Sequence, residues 1–181
     1  METKLIKWQH YLNAFEHLAT NQVNQNDSTK FIQLNKVRQE RWLKKGTINV
    51  PLKNFLINTK VELDWIVITE TWCGDSAHNI PFIKLMTDYN PNFHLTFNWR
   101  DKPNSLIDNY LTDQKKAIPK LIVRSEGNDL FTWGPRPQPL QELITDFNSK
   151  EEKNEFIQHW YNQDKGQSLQ AEILILLQGI I

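Results

Sequence analysis

The fifteen residues Leu63–Ala77, Leu-Asp-Trp-Ile-Val-Ile-Thr-Glu-Thr-Trp-Cys-Gly-Asp-Ser-Ala, constrain the fold more than any other stretch of the chain. Trp65-Ile66-Val67-Ile68 is an unbroken β-branched and aromatic run, the pattern of a strand buried on both faces of a sheet. Small, capping and acidic residues follow from Thr71 to Asp75, and from Ser76 onward Ile80, Phe82, Ile83 and Met86 recur at helical spacing. A strand must therefore hand over to a helix near Cys73. A thiol at that junction faces unpaired backbone N–H groups, which favour its thiolate.

Cys73 is the single cysteine in 181 residues, so no internal disulfide can form. A formal net charge of zero supplies no basic field to draw in nucleic acid or anionic lipid, and neither is expected as a partner. Met1-Glu2-Thr3-Lys4 leads into a mixed polar stretch without the apolar centre of a secretion signal, and a reducing cytoplasm is the expected location. Ile173-Leu174-Ile175-Leu176-Leu177 falls far short of the roughly 20 apolar residues that cross a bilayer and reads as a packed helix.

In chain order, Trp8, Leu12, Phe15 and Leu18 mark one face of a helix over Lys7–Ala19. His10 and His17 read as helix-surface or partly buried residues, because seven residues apart is a poor metal spacing. The polar stretch Asn21–Lys30 reads as a loop, with Asn26-Asp27-Ser28 near a cap. Ile32, Leu34, Val37 and Trp42 then give a helix over Phe31–Leu43 that Gly46 ends; its Lys36, Arg38, Arg41, Lys44 and Lys45 read as a solvated basic face, with a docking surface for an acidic partner as the alternative. Thr47–Asn58 reads as a short helix. Phe93–Trp99 alternates like a strand, a helix is expected through Leu106, Ile107, Tyr110 and Leu111, and Leu121–Val123 with Leu130–Trp133 form a hairpin around Gly127. Gly134–Pro139 is dense in proline and is expected to be a stiff exposed loop, followed by helices over Leu140–Phe147, Lys150–Tyr161 and Ser168–Leu177.

Trp72-Cys73-Gly74-Asp75-Ser76 resembles the Trp-Cys-Gly-x-Cys active-site segment of the thioredoxin family, with serine at the second cysteine position. Further landmarks come in order: Ile118-Pro119 resembles the start of the strand that the family opens with a cis-proline, Glu126-Gly127-Asn128 resembles its hairpin turn, and Gly134 falls near a glycine the family carries in the following strand. Pro81 resembles the family's helix-kinking proline, displaced by a position or two. The resemblance covers about residues 61–147 and implies an α/β fold, a three-layer α/β/α sandwich around a mixed sheet. Residues 1–60 and 148–181 then read as helical extensions of one domain spanning 1–181. Trp160-Tyr161, Asp164-Lys165-Gly166 and Gln170-Ala171-Glu172 resemble the tail of an uncharacterised bacterial branch of thioredoxin-like proteins.

A dithiol reductase needs a second thiol to resolve its mixed disulfide, and Ser76 cannot serve. The buried acid that the family carries six residues before its first cysteine is Val67 here. What the resemblance then implies is monothiol chemistry at Cys73, resolved by glutathione or a partner's thiol, with no bound cofactor and no metal. Trp72 would shield the thiol, Ser76 would donate a hydrogen bond to the thiolate, Pro119 would face Cys73 from a cis bond, and Ile118 would offer its backbone to an extended partner; Gly74 and Asp75 complete the surface. The helix end favours the thiolate while Asp75 and Glu70 oppose it by about as much, so a thiol slightly more acidic than the ordinary ~8.5 is expected. An inert buried cysteine also fits the residues. Two other functions stay open: a non-catalytic thioredoxin-fold binding module, and a glutaredoxin-like iron–sulfur carrier, which Asp75 in place of an aromatic residue disfavours. Cys73, Asp75 and His78 make a poor metal set, and His78 reads as an exposed helix residue that could act as a cation beside the thiolate.

Overall fold

A computed structural model of the chain describes residues 4–20 and 27–180. The buried run becomes the central strand β2 (Leu63–Thr69), flanked by the short β1 (Ile6–Lys7) and by β3 (Phe93–Trp99), β4 (Lys120–Ser125) and β5 (Asn128–Trp133) in the order β1-β3-β2-β4-β5. β2 runs parallel to β3, with Val67 opposite Phe97, and antiparallel to β4, with Val67 opposite Leu121; β1–β3 and β4–β5 are antiparallel. The sheet is mixed and the protein is an α/β fold, as expected. β4 and β5 join through Glu126 and Gly127, both at positive φ (50° and 80°), the two-residue turn whose twist suits a hairpin.

Among the described residues the α-helices are α1 (Trp8–Thr20), α2 (Asp27–Lys45), α3 (Val50–Asn58), α4 (Gly74–Thr87), α5 (Gln138–Leu143), α6 (Lys150–Asp164) and α7 (Gln167–Gln178). None of the described helices is long and apolar enough to cross a membrane. Alternation along β2 sends Trp65 and Val67 to one face, where they meet Phe15, Leu52, Leu56, Ile80, Phe82, Ile173 and Leu177 in the main core. The N- and C-terminal extensions thus bury their apolar stripes in the same core as the sheet. Ile66, Ile68 and Ile122 on the other face have a lighter cover of Ile107, Ile118 and Cys73.

That lighter cover corrects one expectation. Only a single turn of 3-10 helix, Leu106–Asn109, forms where a helix through Leu111 was expected, because its capping Ser105 and Leu106 are tied to Asn98 and the chain turns back at Tyr110. The faces of α1 and α2 also differ from the apolar pattern. In α1 the buried residues are Tyr11, Phe15 and Ala19, while Leu18 is exposed; Tyr11 stacks on Phe97 at 4.4 Å and donates to Gln39 Oε1 at 3.0 Å. In α2 the buried stripe is Ile32, Asn35, Gln39 and Trp42, and Leu34 and Val37 face outward. Buried amides are stable there because each finds a partner.

The loop expected over Asn21–Lys30 lies largely outside the described residues, and α2 already includes 27–30. The proline-dense segment is not an exposed loop. Pro135 and Pro137 are buried, and α5 begins at Gln138 and ends at Leu143, four residues short of the expected Phe147. Pro81 sits inside α4, in its third turn, where it cannot donate to the Ala77 carbonyl.

Candidate functional site

Cys73 is the N-cap of α4. Its Sγ accepts the Ser76 backbone N–H at 3.4 Å and donates to the Ile118 carbonyl at 3.3 Å. The Ile118–Pro119 peptide bond is cis, so the proline that opens β4 and the thiol that opens α4 face each other at the ends of adjacent strands. Gly134 closes the far side: a Cβ there would lie 2.2 Å from the Pro119 carbonyl oxygen, and its φ is 115°, so a side chain at this position would displace the cis-proline loop. The sequence-expected residues Trp72, Cys73, Gly74, Asp75, Ser76, Ile118 and Pro119 are therefore brought together.

Their environment differs from the expected one. Cys73 is only 6 % exposed. Burial first, and the Asp75 carboxylate second, push the thiol up to about 11, against which hydrogen bonds from Ser76 and the Arg136 charge act only in part. The mildly acidic thiol expected from the sequence is overturned because desolvation outweighs the helix end. Ser76 is fully buried, accepts from Thr69 Oγ1 at 2.8 Å, and lies on the thiol through both its hydroxyl and its N–H. The Ile118 carbonyl, expected to serve a partner's backbone, is occupied at rest by the thiol itself. Trp72 is 38 % exposed, with the Arg100 guanidinium 4.5 Å above its ring.

Asp75 carries a network that sequence reasoning missed. Arg136, from the proline-rich segment, grips it through Nε at 2.9 Å and through Nη2 at 2.6 Å, and Tyr161 of α6 donates to the same carboxylate at 2.9 Å. Asn79, one turn on in α4, donates to Tyr161 Oη at 3.0 Å. The Asp75 charge is thus largely matched by a bidentate arginine. On the opposite side, Asn35 of α2 donates to the Thr71 carbonyl at 3.1 Å, and Arg38 donates to Asn35 Oδ1 at 3.0 Å directly over Gly74. Polar residues on the buried side of an amphipathic helix were the available signal, since Asn35 interrupts the apolar pattern of α2.

His78 is a second correction. It is 3 % exposed, stacked on Tyr161 at 4.4 Å, and its Nδ1 accepts the Trp42 Nε1–H at 3.0 Å. Indole N–H is a donor only, so the proton of the neutral ring sits on Nε2 and is donated to Gln158 Oε1 at 3.3 Å. Burial, with Arg38 and Arg41 nearby, lowers the imidazole to about 3. It is no cation for a thiolate. Arg38 and Arg41 are likewise not a solvated face, since Arg41 donates to Asn162 Oδ1 at 2.6 Å and lies over Trp42. No cluster of three or more metal-ligating side chains occurs among the described residues.

A family model described as Thioredoxin matches residues 22–163. None of the curated proteins matches the chain. The fold is similar to that of a protein of unknown function from Pseudomonas aeruginosa, at 16 % identity and a TM-score of 0.60, covering 97 % of this chain and 99 % of that one. It is also similar to a crystallised HIV epitope scaffold, at 16 % identity and a TM-score of 0.61, covering 94 % of this chain and 99 % of the other. At such identities these likenesses concern the fold alone. Over most of its length, from α2 through the Cys73 junction and the cis-proline strand to α6, this chain belongs to the thioredoxin-like family.

Proposed function

We propose that the protein is a monothiol exchange protein, in which Cys73 forms mixed disulfides with a protein or small-molecule partner. The observation that carries this reading is the placement of a lone Sγ at the N-cap of α4, 3.3 Å from the Ile118 carbonyl and beside the cis-proline. At rest the thiol is protonated and held by that carbonyl. An extended partner pairing with the Ile118 backbone takes over the carbonyl, frees the thiol, and lets its proton leave to solvent. The Cys73 thiolate then attacks one sulfur of the partner disulfide, forming a new S–S bond and releasing the other sulfur as a thiolate. An external thiol of the glutathione class attacks the mixed disulfide in turn, returning Cys73 to the thiolate and leaving the partner joined to glutathione. A reducing compartment such as the cytoplasm suits this cycle, because it supplies that thiol.

A second reading, a non-catalytic binding module using the same surface, is favoured by the burial of Cys73 and its raised pKa. The two separate in one experiment. The intact protein and Cys73→Ser are incubated with glutathione disulfide and with a disulfide-containing protein extract, and Cys73-linked adducts are read by mass spectrometry before and after reduced glutathione. Adducts that form on the intact protein and are released by glutathione support exchange. Equal partner retention by both proteins, without adducts, supports the binding module. Iron–sulfur carriage is the weakest reading, and a visible absorption band with stoichiometric iron after anaerobic reconstitution would revive it.

A further inference from the structure

Beside the Cys73 junction lies a groove of about 460 Å³ between α2, α4 and α6. Trp72 and Gly74, the chain neighbours of Cys73, line it together with Arg38, Arg136, Lys150 and Gln158. Its charge is unbalanced. Arg136 is matched by Asp75, but Arg38 bonds only the neutral amide of Asn35, and neither Arg38 nor Lys150 pairs with a carboxylate among the described residues. Burial and Arg41 lower the Arg38 pKa, and the nearby Asp75, already held by Arg136, offsets them only in part. Glu152 and Glu155 border an adjoining hollow on the other side of Arg38 without forming an ion pair with it. Gln158 gives its Oε1 to His78, which leaves its amide N–H groups to donate. Two cations without an ion-pair partner among the described residues and a spare amide donor in one groove are a site for carboxylate groups. The groove volume falls in the range of about 300–1,000 Å³ that suits a small molecule rather than a protein surface.

We propose that this groove binds the carboxylates of a small peptide thiol or disulfide, of the glutathione class, next to Cys73. Arg38 and Lys150 hold the anionic groups; both chain neighbours of Cys73 line the groove but Cys73 itself does not, so the ligand's sulfur reaches the thiol over the Trp72–Gly74 edge. This assignment rests on the monothiol reading for its chemistry, though its binding claim is independent of turnover.

Two measurements test it. In the first, Cys73→Ser is titrated with S-methylglutathione, which binds without reacting, and the heat of binding is read by calorimetry for that protein and for the same protein carrying Arg38→Gln or Lys150→Gln. Saturable binding that weakens about tenfold on loss of Arg38, and weakens with added salt, is expected. In the second, the Cys73-containing protein is reacted with anionic glutathione disulfide and cationic cystamine, and the ratio of their rates is compared with that of each charge variant. A ratio favouring glutathione disulfide, falling about tenfold in Arg38→Gln and less in the exposed Lys150→Gln, is expected. If no disulfide reacts yet S-methylglutathione binds, the monothiol reading fails and the groove stands. If disulfides react with an equal ratio in all variants and S-methylglutathione does not bind, the groove assignment fails alone. Binding of a Glu-rich peptide but not S-methylglutathione would also overturn it, in favour of a protein partner.

Discussion

A thiol pushed up to about 11 by burial is almost wholly protonated at neutral pH, and that has a measurable cost in reactivity. At pH 7 about one Cys73 in ten thousand is a thiolate, against about 3 % of an ordinary cysteine, a deficit of roughly 300-fold. A more basic thiolate is intrinsically more nucleophilic, and a Brønsted coefficient of about 0.4–0.5 over ~2.5 pK units returns roughly 10- to 18-fold. Cys73 in the folded protein should therefore react with a small neutral disulfide about 20- to 30-fold more slowly than an unhindered cysteine at pH 7, before steric shielding slows it further. The assay is the second-order rate of thiol labelling between pH 6 and 11, with the same chain in denaturant as its own reference. The folded rate should climb through pH 9 without levelling, whereas the denatured chain should level near its ordinary ~8.5. A folded-state plateau below pH 8 would refute the dominance of desolvation and restore the helix end as the controlling influence.

Other expectations follow from the same network. The raised Cys73 pKa makes the folded state hold its proton more tightly than the unfolded state, so stability should fall as pH rises from about 8.5 toward 11, by up to ~3 kcal/mol, and Cys73→Ala should flatten that limb of a denaturation-midpoint profile. His78 has the opposite sense. Its lowered pKa leaves stability intact above about 6.5 and removes it as pH falls toward 3, so acid unfolding monitored by circular dichroism should be less steep in His78→Gln. Arg136→Gln leaves the nearly buried Asp75 carboxylate without its cation, which should cost about 3–5 kcal/mol in denaturant melts and slow Cys73 labelling at pH 9, while Asp75→Asn should speed that labelling. Asn35→Ala leaves the Thr71 carbonyl unpaired and should cost about 1–3 kcal/mol by the same melts.

The strand–helix junction was legible because both of its signals are local. A fully buried strand needs an unbroken β-branched run, and a helix start needs small and capping residues, so Trp65–Ile68 and Thr71–Asp75 announce themselves. The β4–β5 hairpin is equally local, since Glu126-Gly127 supplies the positive φ values that its turn demands. The faces of α1 and α2 were misjudged for the opposite reason. Tyr11, Asn35 and Gln39 are polar enough to suggest solvent, and only their partners across the fold make burial favourable.

The sequence by itself determined that Cys73 has no internal resolving partner, since composition alone removes the second thiol, and it determined the junction on which that cysteine sits. The tertiary structure alone decided the protonation of the site. Burial of Cys73, the tie of Asp75 to Arg136 sixty-one residues away, and the closure of His78 between Trp42 and Tyr161 all depend on which distant segments pack together. Desolvation and charge pairing are properties of a packed volume, and no spacing along the chain encodes them directly.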